Sequence, residues 1–475
     1  MRYLALLIGA LMGLGGCTMA PKYRAPEAPI LGAWPQGPAY GESAEQAPLA
    51  AELDWRELFP DERLQRVIEI ALEHNRDLRV AALNVEMARA MYGIQRDTLW
   101  PALDAVGSAA KERVPADLSQ TGMRMTTERY SVNLGVFSWE IDLFGRLRSL
   151  KDQALEEYLA SEQGWRGARL LLITEAANAY LTLAMDRENL QLAESTLKAQ
   201  QTTFDLIRRR YEVGLSSELE LRQVQTQVDV ARRNVAIYSR LAAQDENALN
   251  LLAGTGLPLE LLPENLSSVA APREVSAGLS SEVLLKRPDI LQAEHQLRAA
   301  NANIGAARAA FFPRISLTAA VGTASADLSN LFKAGQGTWS YAPQIVMPIF
   351  DPRTWSALRA SKVQQQLVLT QYEQAIQSAF REVADALAAA GTVDQELAAQ
   401  QSLVTATAET HRLSALRYDK GVDSYLGVLD AQRSLYAAQQ VLLAVRRAHL
   451  ASRVRLYVAL GGGNGANGGE LRSDP

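Results

Sequence analysis

The sequence predicts a mainly helical protein with a β portion suited to a membrane, built from one unit used twice. Three observations predict this class. Residues 147–213 and 354–420 contain no proline, so nothing in them breaks a helix. Ahead of each stretch, short segments alternate apolar and polar side chains with period two. Chemically matched residues also recur at a nearly constant offset.

The offset gives the boundaries. Asp77-Leu78 matches Asp289-Ile290, Arg96 matches Arg308, and Trp100-Pro101 matches Phe312-Pro313, all 212 residues apart. Arg210-Tyr211-Glu212-Val213-Gly214 matches Arg417-Tyr418-Asp419-Lys420-Gly421, Gln225 matches Gln432 and Gly254 matches Gly461, all 207 apart. The change of five falls between the two strands of each unit, where a surface loop tolerates a change of length. The first copy spans 61–262 and the second 288–460, with a connecting segment over 263–287.

Each copy follows one plan. A helix over 61–97, or 288–310, ends before Trp100-Pro101 or Phe312-Pro313, because a residue preceding proline leaves the α region. A strand pair follows, over about 100–142 and 313–350. Tyr130, Val132, Leu134 and Val136 alternate with Ser131, Asn133 and Gly135; Ile315, Leu317, Ala319 and Val321 alternate with Ser316, Thr318 and Ala320. Trp100, Tyr130, Trp139, Trp339 and Tyr341 mark strand ends, as in an interfacial girdle. The long helices come next (147–213 and 353–420), each roughly 100 Å at about 1.5 Å per residue. Return helices occupy 216–253 and 424–460. Leu190, Ala193, Leu197, Gln200, Phe204, Ile207 and Tyr211 step by threes and fours, as do Val224, Val228, Ala231, Val235, Tyr238 and Ala242, which is the heptad pattern of paired helices. The matching seam at Leu397, Gln400, Val404, Thr407, His411, Ser414 and Tyr418 is more polar. Gly214 and Gly421 punctuate the turns between long and return helices, at a position suited to a left-handed residue. Ser216-Ser217 and Asp423-Ser424 are positioned to cap the return helices.

The N-terminus reads as a targeting segment. Arg2 precedes an apolar stretch, Tyr3 to Leu14, that is too short and glycine-rich for a transmembrane helix. It ends at Gly15-Gly16-Cys17, and Cys17 is the only cysteine, so an intramolecular disulfide is excluded. The segment resembles a bacterial lipobox. That resemblance implies cleavage after residue 16, S-diacylglycerol and N-palmitoyl groups on Cys17, and durable anchoring by several acyl chains. Thr18 stands where retention in the inner membrane usually shows Asp, so the resemblance implies the outer membrane. Residues 17–60 carry seven prolines, from Pro21 to Pro60, and read as an extended acylated tether. The tail 461–475 is glycine-rich and reads as disordered.

Other functions are excluded by what the chain carries. At 48% hydrophobic and 21% charged it is not grossly disordered. A net charge of −5, or −6 once residues 1–16 are removed, argues against nucleic acid as a partner. His74, His295, His411 and His449 show no metal-ligand spacing, and no metal or other cofactor is expected. Gly463, Gly465 and Gly468 fit a dinucleotide pattern, but no strand precedes them and no helix follows. No phosphate-binding loop, metalloprotease motif or nucleophile elbow is present, so the reading is a conduit and not an enzyme.

A segment of eighteen uncharged apolar residues is absent from the mature chain, so any membrane crossing must use a β-barrel. Four strands are too few, because closed barrels need about eight or more. Several chains must share one barrel. A lipid-anchored coiled-coil scaffold without a pore, and a duct for secreted proteins, are the competing readings.

Several motifs resemble the TolC/OprM family of outer-membrane efflux ducts, in its lipoprotein branch. They are Cys17 with Ala20-Pro21-Lys22-Tyr23, the run Trp139-Glu140-Ile141-Asp142-Leu143-Phe144-Gly145-Arg146, and the tip from Tyr418-Asp419-Lys420-Gly421 to Asp430-Ala431-Gln432-Arg433. The resemblance covers nearly the whole mature chain. It implies a homotrimer with a 12-strand barrel in outer-membrane lipid, continuous with a 12-helix barrel in the periplasm. It also implies a periplasmic adaptor at the helical tips near Gly214 and Gly421, and an inner-membrane resistance-nodulation-division pump. On the family pattern the periplasmic gate falls on Leu426 and Asp430 with Arg433 beside them. Ties between neighbouring coils fall on Tyr418, Glu220 and Asp423, the last standing where some members carry a basic residue. Positions 426, 430 and 433 share one helical face.

Replacing Cys17 by Ala abolishes incorporation of labelled palmitate in growing cells, read by fluorography and by the mass of the N-terminal peptide. Retained label would remove the lipoprotein assignment.

Overall fold

The computed structural model describes residues 18–40, 48–50, 53–278 and 280–462. The assigned signal peptide (1–16), the acylation site Cys17 and tail residues 463–475 lie outside the described residues. In chain order the elements are α1 (Trp55–Leu58), α2 (Glu62–His74), α3 (Arg76–Asp97), β1 (Asp104–Val114), β2 (Met125–Ile141), α4 (Arg146–Glu212), α5 (Glu218–Ala253), α6 (Pro288–Ala309), β3 (Arg314–Ser325), β4 (Gly337–Val346), α7 (Pro352–Asp419) and α8 (Tyr425–Ala459). Short 3₁₀ turns fill the connection between the copies.

The chain divides into two compact units. The first holds Val85–Ser161, Ala293–Tyr372 and the described N-terminal residues 18–27. Its centre is one antiparallel sheet in the order β1-β2-β3-β4. The register of β2 against β3 shifts between Val136 and Trp139. Ser138 there has φ of 61°, alone in positive φ among described non-glycine residues, and its N–H donates to Thr318 Oγ1 at 3.1 Å. Such a bulge adds twist, which a sheet needs in order to curl. Close strand approach explains two glycines. A Cβ on Gly135 would lie 2.3 Å from the Ala319 carbonyl oxygen, and one on Gly322 2.1 Å from that of Val132.

The segment expected to be an extended tether is bound as a strap along α6 over residues 19–23. Within the first unit, Arg308 Nη1 donates to the Met19 carbonyl at 3.1 Å and Asn301 Nδ2 to that of Pro21 at 2.8 Å. The Tyr23 hydroxyl donates to Glu294 at 3.2 Å. These acceptors and donors sit seven residues apart on α6, two turns of one helical face. Proline supplies the extended backbone whose free carbonyls the helix side chains take up.

Of the described residues, the second unit holds those within Ala28–Asn84, Glu162–Gln292 and 373–462. Trp55, Leu58, Phe59, Leu64, Ile68 and Tyr457 are fully buried in it, so part of the proline-rich segment is core. Helix formation here is interrupted once where one helix over 61–97 was expected. Asn75 (φ −61°, ψ 132°) ends α2, and its Oδ1 accepts from Leu78 N at 2.8 Å to cap α3. Asparagine competes for backbone partners and so favours a cap over a helix interior.

The duplication extends to a detail of helix capping. Asn75 Nδ2 donates to the Leu252 carbonyl at 2.9 Å, at the end of α5. Its counterpart by the offset of 212 is Arg287, whose Nη1 donates to the Ala459 carbonyl at 2.5 Å, at the end of α8. Leu252 and Ala459 are themselves counterparts at 207. Gly254 (φ 68°) and Gly461 (φ 72°) close the two helices in left-handed conformation. Arg287 is buried and also holds Asp289 and Glu382, both at 2.8 Å.

Arg287→Ala leaves the last α8 carbonyls and two acids without their cation. A loss of about 2–3 kcal/mol is expected, read as a lower midpoint in chemical denaturation. Arg287→Lys recovers only part of it, because an ammonium does not span all three acceptors.

Candidate duct wall and periplasmic gate

The four strands present two unlike faces. One register rung runs Ala105, Leu134, Val321, Trp339; another joins Val136, Ala319 and Tyr341. Leu134, Val321, Trp339 and Tyr341 are exposed on this face, Trp339 at 80%. The alternate rungs run Val106, Asn133, Gly322, Thr338 and Asp104, Gly135, Ala320, Ser340. On that face Ser108 and Ser131 share a hydrogen bond of 2.7 Å and Asn133 donates to Ser131. Water penalises so much exposed apolar surface, whereas lipid accepts that face as it stands. Trp100, Ile349, Phe350 and Trp355 extend the exposed apolar surface beside the strand ends nearest the helices.

β1 and β4 are the sheet's edges, each with one neighbour. β1 follows α3 and β4 leads into α7. Both helices carry exposed apolar side chains: Val80, Leu83, Met87, Met91 and Ile94 at heptad steps on α3, and Trp355, Val363 and Leu367 on α7. Among the described residues no helix is long and apolar enough to cross a membrane.

The turns between long and return helices lie in the second unit. Gly214 has φ 79° and Gly421 φ 72°. Ile207, Val224, Tyr425, Val428 and Leu429 form a buried cluster there, with Phe204, Leu221, Ala415 and Tyr418 against it. This cluster joins both copies. Across it the Tyr418 hydroxyl donates to Glu220 Oε1 at 2.6 Å and accepts from Arg210 Nη1 at 3.3 Å. Ser216 Oγ donates to the other Glu220 oxygen at 2.5 Å, and Ser217 Oγ caps α5 through Glu220 N. Burial, then the Glu220 hydrogen bond and charge, push the Tyr418 phenol up to about 12. Burial pushes Tyr425 up to about 12 as well.

Asp423 lies apart from that clasp. It pairs with Arg417 at 2.5 Å and 3.1 Å, which holds its carboxyl below the usual range. Ser424 occupies the α8 cap position without a side-chain cap bond. Leu426 is 54% exposed. Asp430 accepts from Arg433 at 3.1 Å, with side chains 75% and 58% exposed, so that pair adds little by itself. Arg210 and Arg417 join the tip although sequence reading gave them no role there, and Ser216, read as a helix cap, binds the Glu220 carboxylate while Ser217 makes the cap. The signal for the two arginines was the Arg-Tyr dipeptide repeated at 210–211 and 417–418. In the polar second seam, Gln400 Nε2 donates to the Ala438 carbonyl at 2.8 Å, and burial lowers the pKa of His411. Met125 Sδ accepts from Ser119 Oγ in the first hairpin loop.

A sheet apolar on one face and polar on the other, with two free edges and helices of 67 and 68 residues, defines a subunit made to line a shared duct. A family model described as outer membrane efflux protein matches residues 67–255 and 279–462, and the chain belongs to that family. The antibiotic efflux pump outer membrane protein ArpC of Pseudomonas putida is 50% identical over 95% of this chain and 93% of its own. The toluene efflux pump outer membrane protein TtgC, also of Pseudomonas putida, matches to the same extent. The open-state crystal structure of the Neisseria gonorrhoeae outer membrane channel MtrE is similar at a TM-score of 0.85 and 39% identity, over 94% of this chain and 99% of that one. The chain is an outer-membrane efflux protein.

The raised phenol pKa sets a pH dependence. A free tyrosine ionises near about 10, so the neutral, donating form is favoured in the fold. The contribution of the clasp is full below about 10 and is lost as pH rises through about 12. Ultraviolet difference titration is expected to show several late-ionising phenols, Tyr425 and Tyr23 among them, and Tyr418→Phe to remove one phenol from that late group.

Proposed function

We propose that this protein is the outer-membrane exit duct of a tripartite efflux pump, passively conducting small toxic compounds from the periplasm to the exterior. The observation that carries the reading is the sheet with two unpaired edges and one lipid-compatible face. An edge strand in hydrocarbon is untenable, because each unpaired N–H or C=O costs several kcal/mol. Pairing β1 of one copy with β4 of the next satisfies both edges. It also brings the exposed stripe of α3 beside that of α7, so one head-to-tail contact covers strands and helices together. A homotrimer joined this way has twelve strands and twelve long and return helices, the number the family resemblance implies.

The proposed partners are a periplasmic adaptor at the tips, around Gly214 and Gly421, and an inner-membrane resistance-nodulation-division pump. The antibiotic and toluene pumps in which ArpC and TtgC are named support amphiphilic drugs or solvents as cargo. Metal ions are a narrower alternative. The duct has no enzymatic role and needs no cofactor beyond the acyl groups on Cys17. The protein-secretion and scaffold readings lose ground to the relatives' pump names and to the two-faced sheet.

At the tip, Leu426 and Asp430, flanked by Arg433, form the proposed constriction. Tyr418 and Glu220 form the tie that keeps it closed, and Asp423 steadies its own turn through Arg417. Adaptor binding shifts this bistable element towards the open state.

Deleting the gene is expected to sensitise cells to antibiotics or organic solvents, with recovery on complementation; unchanged sensitivity across both classes would overturn the cargo assignment. In planar bilayers, Asp430→Ala and Tyr418→Phe each raise single-channel conductance. Unchanged conductance in both would remove the gate from this position.

A further inference from the structure

We infer that Asp186 of α4 and Asp245 of α5 hold one proton between them, making a proton-binding clasp between the long and return helices of the first copy. The Arg187–Glu246 pair, at 3.2 Å, holds α4 and α5 together one residue beyond these two acids, and each carboxyl acts on the titration of the other. Asp186 is 6% exposed, and Asp245 Oδ2 is buried and accepts from no protein donor. Two carboxylates offer acceptors alone, so the contact is repulsive until one of them carries a donor.

The surroundings supply no substitute. On α4, Asn189 Nδ2 donates to Asp186 Oδ1 at a long 3.3 Å, and its own Oδ1 is buried without a partner. The Thr182 hydroxyl donates to the Asn178 carbonyl. From α8, Arg447 Nε donates to Thr182 Oγ1 at 3.1 Å; the guanidinium attracts both acids at a distance without a hydrogen bond to either. Gln440 of α8 donates to Tyr238 of α5 at 2.6 Å. The adjoining charges pair elsewhere, Arg187 with Glu246 and Arg446 with Glu188, both at 3.2 Å.

Burial raises both carboxyls, and the neighbouring Asp186 charge and hydrogen bond bring Asp245 to about 6, against the pull of Arg447. Unfolded aspartate ionises near about 3.9. The contact is therefore unpenalised below that value and weakens as pH rises through about 6. Asp186 lies 21 residues from Ile207 of the tip cluster, roughly 30 Å along α4. The clasp stands whether or not the tip is the gate.

Infrared difference titration of the full-length purified protein tests it, with ¹³C-labelled aspartate to identify the band. A carboxylic-acid C=O signal is expected to appear as pH falls through about 6 and to vanish in both Asp186→Asn and Asp245→Asn. Over about pH 5–8 in chelator, wild-type thermal stability is expected to fall with rising pH, while Asp245→Asn stays flat in that range. Three results would overturn the inference: no titrating acid band in wild type, a band retained in both variants, or a stability set by added calcium or sodium and indifferent to pH. The wild-type titration decides even if a variant fails to fold.

Discussion

The unpaired edges of the four-stranded sheet are the constraint on which the remaining architecture depends. Water at the membrane surface can satisfy an open strand, but hydrocarbon cannot. β1 and β4 each present such an edge, and the sheet's apolar face directs them into lipid. Everything adjoining the edges is arranged for a neighbour. Apolar stripes stand on the helix that precedes β1 and on the helix that follows β4. Small residues, Gly135 and Gly322 among them, let the strands pack closely enough to curve. The bulge beside Ser138 adds twist in the same place.

The tip follows a different balance of forces. Its buried cluster of Ile207, Val224, Tyr425, Val428 and Leu429 gives non-directional attraction between the copies. The hydrogen bond from Tyr418 to Glu220 gives direction, and it is partly shielded from water. The pairs Asp430–Arg433 and Arg417–Asp423 are solvated and contribute little to holding the helices together. A contact of moderate strength is one that a ligand can shift, since a ligand moves an equilibrium only by its differential affinity for the two states.

Much of this fold was legible in the sequence because its signals are local or periodic. Long proline-free runs, heptad steps and period-two segments need no tertiary information, and the two offsets located both copies. The interruption at Asn75 was not legible, because an asparagine within a helical pattern is ambiguous until its amide finds a partner 177 residues away. The strap at residues 19–23 read as a tether for a similar reason: prolines announce extended backbone but not the α6 side chains, more than 270 residues on, that bind it. Of the tip residues, Tyr418 and Glu220 came from family resemblance, and the structure brings them together. Arg210 was missed because a cation beside a tyrosine carries no weight until their helices meet.

The offset of 207 also shows where the two copies have ceased to be equivalent. Leu426 answers to Leu219, but Asp430 answers to Gln223, and Glu220 answers to Gly427. For Tyr211, the counterpart of Tyr418, the position that answers to Glu220 is a glycine with no side chain to accept a proton. Each chain brings one latch and one carboxyl where a faithful duplication would bring two. The two hairpins at the tip therefore differ in charge and in hydrogen bonding, and the duplication is no longer a symmetry there.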